Sequence, residues 1–296
     1  MSHPLIFDYA RIEQYRKRAF IKAQKGCDFL LSYAVDDLCK RLSTVNRHFT
    51  LALDLHSHTG LAVQEIEKIN KIHSIERVET DILYQSHSKK FHIRHREFLD
   101  FPQHYCDLII SLLSLQLTND MPGVLNQIRN TLKPDGLFLA VMAGACTLQE
   151  LRESLLQAEM EIYGGVSPRV YPFIDIRDAG VLLQRAGFAL PVVDVENITI
   201  YYNTMFDLMH DLKAMGMQSA LTHRSRYPVS KRFFLRAAEI YAQQYSDTNG
   251  RIRACFSFIW LSGWAPDPSQ QKPMKPGSAQ ISLIDALEKQ NKNIKK

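Results

Sequence analysis

Apolar residues recur along this chain in two rhythms that take turns. Over residues 8–44 they fall at helical spacing, with Leu30, Leu31, Ala34, Val35 and Leu38 on one face, the pattern of an amphipathic helix. From residue 51 onward short apolar-rich runs appear instead, at 51–55, 76–80, 91–93, 106–111 and 137–142. Runs of that length between polar turns predict buried strands. Helical spacing returns between and after them, at 61–72, 121–132, 148–162 and 178–186. Thr147 is placed to cap the third of these helices, and Gly187 to close the fourth. Lys133-Pro134-Asp135-Gly136 reads as a turn.

Strands alternating with helices predict right-handed crossovers and a parallel sheet. Two longer strand-like runs, 191–202 and 252–264, have no further helix after them inside the sheet region. They predict an antiparallel hairpin at one edge. The fold class is α/β, a three-layer Rossmann-like sheet of seven strands with helical insertions. An N-terminal helical segment takes residues 1–46 and the main domain 47–265. The insertions fall at 147–170 and 203–250, the second holding two or three helices. Both follow strands at the carboxyl edge of the sheet, where ligands bind in open α/β folds. The tail 266–296 is rich in Pro, Lys, Gln and Ser and is expected to be loosely ordered.

Composition narrows this little. The 296 residues are 46% hydrophobic, enough for one large core. No run of about 18 apolar residues predicts a membrane-spanning helix, and the first residues lack a signal-peptide pattern. The five cysteines are scattered without a Cys-x-x-Cys pair, so neither a disulfide framework nor a zinc ribbon is predicted. The net charge of +5 gathers partly at 11–25 and partly at Lys289, Lys292, Lys295 and Lys296. A solvated helix face accounts for the first cluster. Peripheral contact with an anionic membrane is the functional alternative, and no nucleic-acid partner is expected.

Chemistry concentrates after the first strand. Asp54-Leu55-His56-Ser57-His58-Thr59-Gly60 has the layout of a strand-to-helix cofactor loop, in which glycines let the backbone approach the ligand. Only Gly60 is a glycine here. Asp107-Leu-Ile-Ile-Ser111, Asn119-Asp120-x-Pro122 and Leu132-Lys-Pro-Asp-Gly-x-Phe138 resemble type-11 methyltransferases. Thr147-Leu-x-Glu-Leu-Arg152, Gly164-Gly-x-Ser-Pro-Arg169, the 205–216 segment and Lys275-Pro-Gly-Ser-Ala more specifically resemble the complex I assembly factor 5 family. The resemblance runs over about residues 5–285.

It implies the class I fold of S-adenosylmethionine (SAM) methyltransferases and a role in building respiratory NADH:ubiquinone oxidoreductase. It also implies SAM as cofactor and a protein substrate, with a complex I subunit as the candidate. The mitochondrial member is associated with arginine hydroxylation. The expected location is the bacterial cytoplasm, with the inner membrane as a peripheral surface, or the mitochondrial matrix in a eukaryote.

Carried over residue by residue, the resemblance assigns Asp54, Leu55, His56 and Gly60 to the cofactor loop and Asp81 and Ile82 to the ribose. His95 and Arg96 fall in the adenine segment, and Ser111 and Leu113 face the methyl donor. Gln116, Arg152, Arg169 and Tyr171 are the substrate or partner candidates. The chain departs from the family pattern where His56 and His58 replace glycines, His95 replaces an aspartate, and Gln116-Leu117 stands where relatives often carry His-Trp. A Cβ in place of those glycines crowds a cofactor or strains the backbone wherever φ is positive. No catalytic base stands out.

Seven of the eleven histidines (His56, His58, His73, His87, His92, His95 and His104) lie within 56–104. They span several elements, and no metal site is expected. The rival readings are a non-catalytic assembly module that grips a partner with its insertions, a hydroxylase, and the carrier-protein methyltransferase of biotin synthesis.

Overall fold

The computed structural model describes residues 5–85, 90–225, 228–271, 277, 278 and 282. Most of the tail, including Lys289, Lys292, Lys295 and Lys296 and much of the Lys275 motif, lies outside the described residues, as does His87. The chain divides into a unit Met1–Pro266 and a short unit Asp267–Lys296. In the second, Asp267 turns back to accept hydrogen bonds from Ser269.

In the first unit α1 (Tyr9–Lys22) and α2 (Phe29–Thr44) precede β1 (Phe49–Leu55), α3 (Leu61–Ile66), β2 (Ile72–Glu79), β3 (Lys90–Ile93) and β4 (Cys106–Leu112). Then follow α4 (Met121–Thr131), β5 (Leu132–Ala143), α5 (Gln149–Tyr163), α6 (Ile176–Arg185) and β6 (Ala189–Tyr202). Finally α7 (Met205–Ala214) and α8 (Lys231–Tyr245) lead into β7 (Ile252–Trp264). The sheet order is β3-β2-β1-β4-β5-β7-β6. β3, β2, β1, β4 and β5 pair in parallel, and β7 runs antiparallel to both β5 and β6. The predicted seven-stranded sheet and edge hairpin are both present.

Apolar side chains on both faces of the central strands make three layers. Ala34, Val35 and Leu38 of α2, Ala62 of α3, Leu151 of α5, Leu208 of α7 and Phe233 of α8 pack on one face. Val124 and Ile128 of α4 and Ala179 and Leu183 of α6 pack on the other. Each fully buried side chain of this size contributes roughly 1.5–3 kcal/mol, so the sheet frame is firmly held. A third, small cluster of Phe7, Ile12, Leu117, Tyr171, Ala220 and Leu221 fastens α1 beside the carboxyl ends of the strands.

Several local expectations need correction. The helical reading of 8–44 is interrupted at 23–28, where Ala23 and Gly26 take positive φ. The helix expected over 61–72 stops at Ile66 and gives way to a 3-10 turn, Glu67–Ile69. β2 then begins at Ile72 rather than 76, because Ile72 pairs with Phe49 across the parallel ladder. The 133–136 turn is absorbed into β5 as an irregularity in its pairing with β4. Thr147 does not cap α5. Its hydroxyl donates to the Ser257 carbonyl and accepts from the Ser257 amide, and Leu148, with φ +55, starts the helix.

Candidate active site

Three segments meet at the carboxyl end of the parallel strands: the loop after β1, the end of β4, and the residues that follow β5. In the loop, His56 and His58 have φ +57 and +67, and Gly60 has φ +81. The chain therefore keeps a glycine-like backbone while carrying two imidazoles. Histidine tolerates this region better than most residues, although the conformation still costs energy. Leu113 at the end of β4 and Leu148 at the start of α5 also have positive φ, so strained backbone rings the site.

Ion pairs and hydrogen bonds hold the loop. Asp54, fully buried, accepts from the Ser57 hydroxyl and lies 3.6 Å from Arg77 of β2. Burial pushes its carboxyl above the usual range, against the pull of Arg77. Glu79 accepts from the His58 amide at 2.6 Å and from Arg77 at 3.1 Å. Its burial raises it to about 7, against the cations of Arg16 and Arg77. Arg77 also donates to the His58 carbonyl at 3.1 Å. Leu55, buried, accepts from the Ser111 hydroxyl at 3.2 Å.

α1 covers this loop. Arg16, buried, donates to the His56 carbonyl at 3.0 Å, and the His58 ring lies 3.2 Å from the Arg16 carbonyl. Burial, reinforced by Arg96, lowers the Arg16 guanidinium to about 10. Gly216 lets α1 come this close. At φ +74, a Cβ there would lie 3.0 Å from Arg16 Cα. Both loop imidazoles are held well below their ordinary pKa, first by burial and then by neighbouring arginines, so they are neutral.

The same helix engages the predicted adenosine residues. Asp81 lies beyond the end of β2, caps a 3-10 turn (Ile82–Tyr84) and pairs with Lys17 at 2.5 Å. Hydrogen bonding to Lys17 holds its carboxyl low. Ile82 is exposed. The His95 ring meets Tyr9 edge-on at 5.1 Å. Arg96 is buried between Glu13, at 3.3 Å, and the Ser114 hydroxyl, at 2.8 Å.

Beyond the loop opens a largely apolar cavity of about 600 Å³. It reaches from Ser57, His58, Leu113 and Gln116 to the two insertions, with Phe206, Phe234, Phe256 and Phe258 among its walls. Gln116 donates to the Leu113 carbonyl at 2.8 Å. Arg169 and Tyr171 line this cavity and the groove beside it, and Arg152 lines the groove alone. Arg169 is tied to Glu159 at 2.6 Å, and Tyr171 donates to the Gln218 carbonyl at 2.6 Å. Arg152 reaches the Tyr171 carbonyl at 3.3 Å.

The structure thus brings His58, Ser57, Leu113, Gln116, Arg169 and Tyr171 to one cavity and sets Asp81, Ile82 and His95 apart on the side covered by α1. Sequence reasoning missed Glu13, Arg16 and Lys17, which read only as part of a basic helix. It also missed Glu79, which carried no motif, and Asp28, whose signal was its place immediately before an apolar helix. Among the described residues no group of three or more His, Cys, Asp or Glu lies together in a metal-ligating arrangement.

The residues can be tested against SAM. Near the cavity, Arg16 Nε, Gln116 Oε1 and both ring nitrogens of His56 are buried without hydrogen-bond partners. These polar atoms fit the charged methionine end of SAM. At the adenosine end Asp81 is already paired with Lys17, so it becomes available to a ribose only when that pair opens. The fit holds at the methionine end and is conditional on α1 at the other.

Comparison with known proteins agrees with the fold. A methyltransferase-domain family matches residues 30–191. The rat protein named arginine-hydroxylase NDUFAF5, mitochondrial, is 38% identical over 268 residues, covering 87% of this chain and 76% of its own length. A malonyl-[acyl-carrier protein] O-methyltransferase of Halorhodospira halophila is 26% identical, covering 84% of this chain and 85% of its own. Among solved structures, the YcgJ protein of a Bacillus superposes with a TM-score of 0.56 at 14% identity, covering 80% of this chain and 99% of that one. That likeness shows a shared fold. No helix among the described residues is long and apolar enough to cross a membrane.

Proposed function

The chain belongs to the methyltransferase-domain family and, within it, to the NDUFAF5 family, and from that membership we propose that it is a SAM-dependent, methyltransferase-like protein of respiratory complex I assembly that modifies an arginine side chain of a complex I subunit. The name of the rat relative supplies the arginine. The observation that carries the reading is the cavity that joins the cofactor loop to both insertions. A largely apolar cavity of this size suits a long side chain presented by a partner, and it reaches the loop and the end of β4, where the fold family places its reacting group.

When bound, SAM supplies an electrophilic methyl group. The Asp54-to-His58 loop, Arg16, Leu113 and Gln116 would hold it. The chain's own contribution is positioning, since aligning the reacting groups can lower a barrier by several kcal/mol. Apolar walls exclude water from the cavity, and the neutral imidazoles beside Arg16 place no further positive charge next to a cationic cofactor. The carrier-protein methyltransferase reading is weaker, because that relative is less similar than the NDUFAF5 protein over a comparable span. The proposed site of work is the cytoplasm, at the inner membrane where complex I is built.

Two measurements test this. Deleting the chain in its own organism should lower assembled complex I and remove a mass increment, one methyl group or one oxygen, from an arginine of a subunit. Calorimetry with SAM should show saturable binding. Intact assembly with unchanged subunit masses would overturn the proposal.

A further inference from the structure

We propose that Asp28 is the carboxylate that receives the cationic head of the substrate side chain in the cavity beyond the cofactor loop. The proposal rests on the reading just given and names the residue that would make the site selective for arginine. Asp28 is the one carboxylate among the described residues that line the cavity. It occupies the N-cap position of α2, yet its side chain makes no capping hydrogen bond, with φ −90 and ψ 19. Its side-chain contact is the Cys27 thiol at 3.7 Å, a weak donor. Among the described residues no basic group lies within ion-pair distance of it. Half-buried and unpaired, it is held above the ordinary carboxyl range by burial. A buried charge of this kind gains most from a partner of opposite sign.

The cavity's own cations do not fill that role. Arg169 is bound to Glu159, Arg16 to the His56 carbonyl, and Arg224 to the Leu221 carbonyl at 2.6 Å. His210 meets Gln24 at 3.3 Å, and Lys213 is exposed. Phe206, Phe234, Phe256 and Phe258 supply aromatic wall, against which an aliphatic stem packs and a planar guanidinium can stack. One carboxylate beside an aromatic wall, with the cavity's arginines engaged elsewhere, is chemistry that accepts an arginine and rejects its uncharged isostere.

The test uses the full chain and two small probes, N-acetyl-arginine methylamide and its citrulline counterpart, which has nearly the same shape without the charge. Calorimetry at neutral pH should show the arginine compound binding about ten- to a hundred-fold tighter, the range of one charged hydrogen bond. Asp28→Asn should erase that preference. Asp28→Ser, an equally favourable N-cap residue type, should erase it too and guards against a folding artefact. Equal binding of the two probes to the unmodified chain would overturn the inference, and so would a preference that survives both substitutions with the melting temperature unchanged. These outcomes are independent of complex I levels and subunit masses. Asp28 can therefore fail while the assembly reading stands, and the reverse also holds.

Discussion

The two halves of the site are built on opposite terms. On the α1 side the principal ions and the loop carbonyl are answered from within the chain: Asp81 by Lys17, Arg96 by Glu13, and the His56 carbonyl by Arg16. On the insertion side the walls are largely apolar, and two polar groups stand out: Asp28, met only by the weak Cys27 thiol, and Gln116 Oε1, buried without a partner. The first half looks after its own strained backbone. The second is shaped for something from outside. Where a glycine loop would leave room for a cofactor, this chain has invested ionic contacts, and its open recognition chemistry lies against the insertions.

The largest effect is expected at the centre of the first half. Arg77 is fully buried between Asp54 and Glu79. Arg77→Leu leaves two buried carboxyl groups without their cation, and breaking such a set typically costs about 3–5 kcal/mol. Urea unfolding should show a loss of that size. Leu112→Val, a one-methylene change in the cavity wall, should cost only about 0.5–1.5 kcal/mol. A loss at Arg77 as small as that would mean that the ionic half is no more firmly built than the apolar one.

The next effect is pH-dependent. His56 and His58 are neutral in the folded chain, with pKa values depressed from an ordinary 6.5. Below pH 6.5 the unfolded chain takes up protons at both sites and the folded chain does not. The stability they confer is thus complete above 6.5 and is lost as pH falls below it. Glu79, raised to about 7, works in the opposite direction, because its folded form binds a proton first as pH falls. Its effect is common to both proteins when the unmodified chain is compared with a His56→Gly/His58→Gly variant. The variant should gain on the parent as pH falls below 6.5, with a slope of at most about 2.7 kcal/mol per pH unit, two protons at about 1.36 kcal/mol each. A difference that stays flat from neutral pH downward would show that the imidazoles titrate normally. The glycines also suit the positive φ at both positions, so the variant should bind SAM more tightly than the parent.

Much of the frame was legible because it follows from burial alone. The central strands are apolar on both faces, so their sequences announce a covered parallel sheet, and the two long runs at 191–202 and 252–264 have nowhere to pair except with each other and the sheet edge. Local ends were harder to read. Thr147 is spent on Ser257 of β7 rather than on its own helix, a partner 110 residues away that no local pattern reveals. The site divided in the same way. His56, His58 and Arg169 drew attention because a loop motif or an insertion motif contained them, and Leu113, Gln116 and Tyr171 because they stood at or beside such segments. Arg16, Lys17 and Glu79 did not, since their roles depend on how α1 docks, which is set by Gly216 and the small Phe7–Tyr171 cluster. Asp28 fell inside the span read as helical, 8–44, and only the fold shows that it stands at the start of α2 and caps nothing.

The smallest effect is the finest probe of the comparison. Lys17 and Asp81 are partly exposed, with side chains 40% and 28% accessible, and pairs of this kind contribute about 0.2–1 kcal/mol. Lys17→Ala should therefore shift the melting temperature little. If Asp81 is the ribose acceptor that the fold family assigns, removing its competitor should tighten SAM binding by up to about five-fold, the equivalent of 1 kcal/mol. Asp81→Ala should weaken binding, and in the Lys17→Ala background it should cancel the gain. Unchanged affinity in Lys17→Ala would mean that Asp81 serves α1 alone, leaving the methionine end of the loop and the cavity beyond it as the working part of the site. Added salt sharpens the reading, because screening weakens an exposed ion pair. The advantage of Lys17→Ala over the parent should shrink as ionic strength rises, whereas the contrast between Asp28 and Asp28→Asn, set inside the cavity, should persist.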